Sequence, residues 1–228
     1  MTASRDWHLW HRHYDDPTSS LSRRLEVVRD QLDLLLTRLH RREHVEAIRL
    51  VSLCAGDGRD ALPILARKTE LRVRALLVEL DQTLSEAARR SAIDLGLGSV
   101  LVRTADAGDT ASFADFCPAD VLMLCGVFGN ISDDDVQHTI NHLPRLLAPG
   151  ASVIWTRGRR TDEADPSAVG DDPSEWVREQ FRSAGFDETA LVRPSDAGFR
   201  VGVNRLASPP SPYTPAKSLQ LRRRSLTG

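Results

Sequence analysis

The sequence predicts a three-layer α/β sandwich on a mostly parallel sheet, and three observations predict it. From residue 49 onward, short apolar runs alternate with helix-type segments. The first run breaks into Cys54-Ala55-Gly56-Asp57-Gly58 and then into a helix. After the fifth strand the rhythm changes to two strand-like runs close enough to pair as a hairpin. Parallel strands need crossover connections, and helical crossovers cover both faces of the sheet.

Taken in order, residues 20–44 carry Leu21, Leu25, Val28, Leu32, Leu35 and Leu39 at steps of three and four, the spacing of an amphipathic helix. Pro17 with Thr18, Ser19 and Ser20 supplies a turn and helix-cap residues. Ahead of them lies a cluster of Trp7, His8, Trp10, His11, His13 and Tyr14. A first strand is expected at 49–53 and its helix at 58–68, with Pro63 in the first turns, where proline costs least. The second strand, 73–78, ends at Glu79-Leu80-Asp81, and its helix, 84–94, is closed by Gly96 and Gly98. A third strand, 100–103, stops at Ala105-Asp106-Ala107, and a fourth, 120–124, stops at Cys125-Gly126. A helix over 133–147, the turn Ala148-Pro149-Gly150 and a fifth strand at 152–156 complete the alternating part. Residues 161–172 read as an acidic loop, 173–184 as a helix, and 188–193 with 199–206 as an antiparallel hairpin. Beyond 207 the chain is rich in Pro and Ser and carries Arg222-Arg223-Arg224, so it is expected to be flexible, with a short strand at 218–221 as the exception. The chain thus divides into a leading segment and helix, 1–48, a core, 49–207, and a basic tail, 208–228.

The 228 residues, 41% of them hydrophobic, suit a single domain with a real core. A net charge of -2 with both signs interspersed creates no basic field, which argues against a nucleic-acid partner. Cys54, Cys117 and Cys125 lack metal-ligand spacing, no apolar run reaches transmembrane length, and the polar, His-rich start is not a secretory signal. The expectation is a cytoplasmic protein with reduced thiols, no structural metal and no membrane partner. Homo-oligomerisation is left open.

Small residues at the end of a strand let a ligand lie against bare backbone, beside the unpaired N–H groups of a helix N-terminus. Residues 49–63 therefore read as a nucleotide-type cofactor loop. Gly56-Asp57-Gly58-Arg59-Asp60-Ala61 also satisfies the dinucleotide pattern G-x-G-x-x-A, with Glu79 about twenty residues on as a ribose-binding acid. A nicotinamide oxidoreductase is thus one reading. The hairpin after the fifth strand argues for another.

Residues 49–206 resemble the class I S-adenosylmethionine-dependent methyltransferases, a Rossmann-like family, through the five β-α units, the glycine loop, the helix ending in Ala184-Gly185-Phe186 and the closing hairpin. The leading helix matches an extra N-terminal helix that such enzymes often carry. The resemblance implies a seven-stranded sheet with the last strand antiparallel, S-adenosyl-L-methionine as cofactor, and a cofactor loop formed by Cys54, Ala55, Gly56, Asp57 and Gly58. Ser52 stands where the family places an acid that helps to hold the methionine part, and Cys54 where it places the first glycine. Asp57 and Asp60 are the residues that can compensate. Glu79, with Leu80 beside it, would accept the ribose hydroxyls, the alternative being a helix-cap or surface acid. Asp106 and Ala107 would contact the adenine, with Asp109 as the rival helix cap. Cys125 and Gly126 would face the transferable methyl, Cys125 as a small buried thiol and not as a nucleophile.

The resemblance implies methyl transfer to an O, N or C atom, here most simply on a small molecule. The loop Cys125-Gly126-Val127-Phe128-Gly129-Asn130 lacks the Asn/Asp-Pro-Pro-aromatic signature of many base N-methyltransferases. Asn130 would orient the acceptor or cap the helix near Asp133. Arg157, as a buried or rim arginine, would bind a carboxylate or phosphate, or it would stand exposed in the run Arg157-Gly158-Arg159-Arg160. In the leading segment, Trp10 and Tyr14 would line the acceptor pocket as part of a lid, and His11, or His8 or His13, would take a proton. A protein that binds the cofactor without catalysing transfer is a further alternative.

Overall fold

The computed structural model describes residues 16, 19–41, 47–158, 172–207, 209 and 219. Helix α1, Ser20–His40, is capped by Ser19, whose side chain accepts from the Ser22 N–H, and it ends four residues earlier than its expected limit. Then follow β1 (Ile48–Leu53), α2 (Leu62–Arg67), β2 (Val73–Glu79), α3 (Gln82–Asp94), β3 (Val100–Thr104), β4 (Ala119–Leu124), α4 (Asp133–His142), β5 (Leu147–Gly158), α5 (Pro173–Ser183), β6 (Phe186–Val192) and β7 (Phe199–Leu206). The seven strands form one sheet in the order β3-β2-β1-β4-β5-β7-β6. β1 to β5 pair in parallel, and β7 runs antiparallel between β5 and β6. The expected mostly parallel sheet with its closing hairpin is therefore present.

Alternation along the strands splits the core between the two faces of the sheet. Leu50, Ala75, Leu77, Val121, Met123 and Ile154 pack on one face with Val28, Leu32, Leu35, Leu36 and Leu39 of α1 and with residues of α2 and α3. Val51, Leu53, Leu76, Leu122, Leu124, Val153 and Trp155 pack on the other with residues of α4 and α5. Central strands buried on both faces explain why their sequences read as unbroken apolar runs. Leu219, from the 218–221 stretch set apart from the flexible tail, is buried in the second cluster.

Several boundaries differ from the sequence reading for local reasons. α2 begins at Leu62 and not at Gly58, because Gly58 has φ +75, which no helix contains. α4 stops at His142 and continues only as a 3-10 turn, Leu143–Arg145, because Pro144 cannot supply the next helical N–H. The expected turn 148–150 lies inside β5, where an irregularity in the pairing with β4 and a positive φ at Gly150 absorb the extra residues. At the end of α3, Gly96 adopts φ +70 and the Leu97 N–H reaches the Ala92 carbonyl, a Schellman-type closure.

Candidate active site

The parallel strands all deliver their carboxyl ends to one edge of the sheet. There the loops after β1, β2, β3 and β4 enclose a cleft, closed on a further side by Arg24, Leu25 and Val28 of α1. Cys54, Ala55, Gly56, Asp57, Glu79, Leu80, Asp106, Ala107, Cys125 and Asn130 all line it. Ligands of open α/β sheets bind at this edge. Gly58 does not line the cleft. A Cβ there would meet the Leu62 and Leu77 side chains at 2.7 and 2.8 Å, so this glycine permits close packing of the loop on the sheet. Ser52 is buried within β1 and also lies outside the cleft.

The loop after β1 is held from several sides. The Ala55 N–H donates to the Val78 carbonyl, and the Gly58 carbonyl accepts from Ala61 and Leu62. Arg29 of α1 donates through Nε and Nη2 to the Arg59 carbonyl at 2.9 and 2.7 Å. The leading helix thus clasps the loop as well as walling the cleft, a role its apolar period did not disclose. Cys54 takes φ +55, so a thiol-bearing residue occupies the left-handed conformation at the place where a glycine was expected. An L-residue pays about 1–2 kcal/mol for that conformation. Cys54→Gly is therefore expected to raise stability by roughly 0.5–1 kcal/mol in urea denaturation, the gain being reduced by glycine's greater freedom when unfolded.

Glu79 is buried at the end of β2, and each of its carboxylate oxygens accepts a backbone amide, Oε2 from Gly56 at 2.8 Å and Oε1 from Asp81 at 2.9 Å. A carboxylate oxygen has a second acceptor direction, so both remain able to accept from a ligand in the cleft. Asp81 caps α3 through the Leu84 N–H. Asp106 is exposed and closes its own turn by accepting the Gly108 N–H, while Asp109 caps the following 3-10 turn. Leu80 is 61% exposed, an apolar side chain presented at the cleft.

At the β4 end, the Gly126 N–H donates to Thr156 Oγ1 of β5, and Asn130 Nδ2 donates to the Gly126 carbonyl. Asn130 is thereby part of the cleft loop. The cap of α4 is Ser132, which accepts the Asp135 N–H. Burial pushes the Cys125 thiol well above its ordinary range, with the Asp60 charge adding to the effect, so it stays protonated. Arg157 falls outside the cleft. It is buried, donates to Asp133 Oδ1 at 2.7 Å and lies over the Trp176 ring, while its Nη1 is buried with no hydrogen-bond partner, so it is not the exposed arginine considered from the sequence. Trp10, His11 and Tyr14 lie outside the described residues.

Two acids of the first loop differ sharply. Asp57 is engaged by Arg59, whose Nε lies 2.9 Å from both carboxylate oxygens and whose Nη2 lies 2.5 Å from Oδ2. Asp60 Oδ1 is buried with no hydrogen-bond partner. Burial, reinforced by the Asp57 charge, pushes the Asp60 carboxyl up to about 6 from 3.8. A carboxyl raised on folding weakens the fold where it is ionised, above pH 6. That cost disappears as pH falls toward 4 and the folded protein takes up the proton first. Asp60→Asn is thus expected to be more stable than the wild type by about 2–3 kcal/mol at pH 7.5, a difference that closes by pH 4 in paired urea titrations.

No family model matches the chain, and no curated protein matches it. Solved structures do. An O-methyltransferase family protein from Burkholderia thailandensis is 19% identical with a TM-score of 0.64, over 90% of this chain and 61% of that one. The chain therefore spans less than two thirds of that protein's length. Magnesium protoporphyrin IX methyltransferase from Synechocystis PCC 6803, solved with bound S-adenosylmethionine, is 14% identical with a TM-score of 0.64, over 89% and 91% of the two chains. The cyclase SpnF is 17% identical with a TM-score of 0.55, over 81% of each. This chain has the class I methyltransferase fold.

Proposed function

We propose that the chain binds S-adenosyl-L-methionine in the cleft and transfers its methyl group to an O, N or C atom of a small molecule in the cytoplasm. The observation that carries this reading is Glu79. It is held between the Gly56 and Asp81 amides at the cleft edge, as the ribose-binding acid of this fold needs to be. The donor set fits the cofactor: a fixed two-oxygen acceptor for the ribose diol, Asp106 and the Ala107 backbone beside exposed Leu80 for the adenine, and an acid with an unpartnered oxygen for a cationic end. When bound, the cofactor supplies an electrophilic methyl on a sulfonium. The loop after β4, with the Gly126 amide fixed by Thr156 and the Asn130 carboxamide folded over it, then positions the acceptor atom in line. His11 is the proposed proton acceptor, with Trp10 and Tyr14 walling the acceptor. A net charge of -2 and the absence of the base-methylating signature support a small molecule over a nucleic acid.

Likeness to the cyclase SpnF, a fold neighbour not named as a methyltransferase, gives a second reading in which the cofactor is bound and no methyl is transferred. Turnover separates the two. The chain is incubated with S-adenosylmethionine and a panel of small hydroxyl, amine and carbon acceptors. Methylated product and S-adenosylhomocysteine are expected. Cofactor binding without turnover across the panel would favour the second reading.

A further inference from the structure

The cofactor reading leaves one group without a holder. The acid expected two places before the first loop glycine is Ser52, and Ser52 is buried in β1 away from the cleft. Among the described residues, five acids line the cleft: Asp57, Asp60, Glu79, Asp81 and Asp106. Four are committed within the protein, Asp57 to Arg59, Glu79 to two backbone amides, Asp81 to the α3 cap and Asp106 to its own turn. Asp60 alone among the five keeps a buried carboxylate oxygen with no hydrogen-bond partner. A desolvated carboxylate oxygen without a donor costs free energy, and a ligand cation is the natural group to relieve it.

We infer that Asp60 is the seat of a primary ammonium on the bound ligand, taking over the place that Ser52 cannot fill. This rests on the reading of the cleft as an S-adenosyl site. Asp60 and Cys125 line the same cleft, and the Asp60 charge acts on the Cys125 thiol, which sets the seat on the side of the cleft where the loops after β1 and β4 meet. The groups acting on Asp60 agree with such a role. Burial and Asp57 disfavour its anion. Only its own loop amides and, least of all, Arg24 favour it, so a cation delivered by the ligand completes the site.

The test is calorimetric titration of the wild type, Asp60→Asn and Asp57→Asn with S-adenosylhomocysteine, which carries the ammonium, and with 5′-methylthioadenosine, which lacks it. Asp60→Asn is expected to weaken S-adenosylhomocysteine roughly 10- to 100-fold, as loss of a charge-assisted hydrogen bond does, and to leave 5′-methylthioadenosine within about twofold. Asp57→Asn should show no such selectivity. The inference is overturned if Asp60→Asn binds S-adenosylhomocysteine like the wild type, if it loses both ligands equally, or if the selective loss appears in Asp57→Asn. In each of those cases the wild type still binds and the cofactor reading stands. A wild type that binds neither ligand overturns both.

Discussion

Glu79→Ala is expected to weaken S-adenosylhomocysteine binding by at least roughly 100-fold, because two charge-assisted hydrogen bonds to the ribose diol disappear together. The same carboxylate holds the Gly56 and Asp81 amides, so its removal also loosens the loop after β1. A ligand lacking both ribose hydroxyls separates the two effects. If Glu79 touches the diol, the wild type binds that analogue weakly and Glu79→Ala adds little further loss. If Glu79 serves only the loop, the variant loses the same factor for both ligands, and the ribose assignment fails. Calorimetry with the two ligands on the two proteins gives the coupling directly.

The largest loss of stability is expected at Gly202→Ala. Gly202 pairs with Trp155 across β7 and β5, and a Cβ on it would lie 2.2–2.5 Å from indole atoms Cε2, Cζ2 and Nε1. That ring cannot yield easily. It is fully buried, stacked on Phe181 at 5.9 Å and close to Phe128, and its Nε1 donates to Asn204 Oδ1 at 2.7 Å. Displacing it adds the cost of an overpacked core to that of an orphaned buried amide oxygen, about 3–5 kcal/mol together. The effect reaches the site, since Thr156, next in β5, accepts the Gly126 amide of the cleft. Urea denaturation of Gly202→Ala, and of the same substitution with Trp155→Leu, tests the cause. A smaller side chain at 155 should recover part of the loss, and a double variant no better than the sum of the singles would place the cost elsewhere.

The alternation of strands and helices was legible because each central strand is apolar on both faces and each helix on one, a local property of sequence. The hairpin was legible from two strand-type runs separated by Pro194-Ser195-Asp196-Ala197-Gly198. The cleft was legible as far as strand ends determine it, which is why Gly56, Glu79, Asp106 and Cys125 converge. What escaped depends on contacts between distant segments or on backbone conformation. The hydrophobic stripe of α1 predicts that it docks, but nothing local says that Arg29 grips the Arg59 carbonyl or that Arg24, Leu25 and Val28 wall the cleft. Arg157 could be placed at a strand end as buried, at the rim or exposed, and only the contacts with Asp133 and Trp176 show that it is buried. Cys54 shows the opposite case, where the glycine is missing from the sequence and the backbone keeps the left-handed conformation. Asp60 stands out from Asp57 only once the partner of each is visible.

The most direct test of the cofactor claim is titration of the wild type with S-adenosylhomocysteine and, separately, with NADH. The placement of β7 antiparallel between β5 and β6, where a dinucleotide fold continues in parallel, together with the Glu79 and Asp60 sites, predicts binding of S-adenosylhomocysteine and none of NADH. Tight NADH binding with no response to S-adenosylhomocysteine would contradict the account.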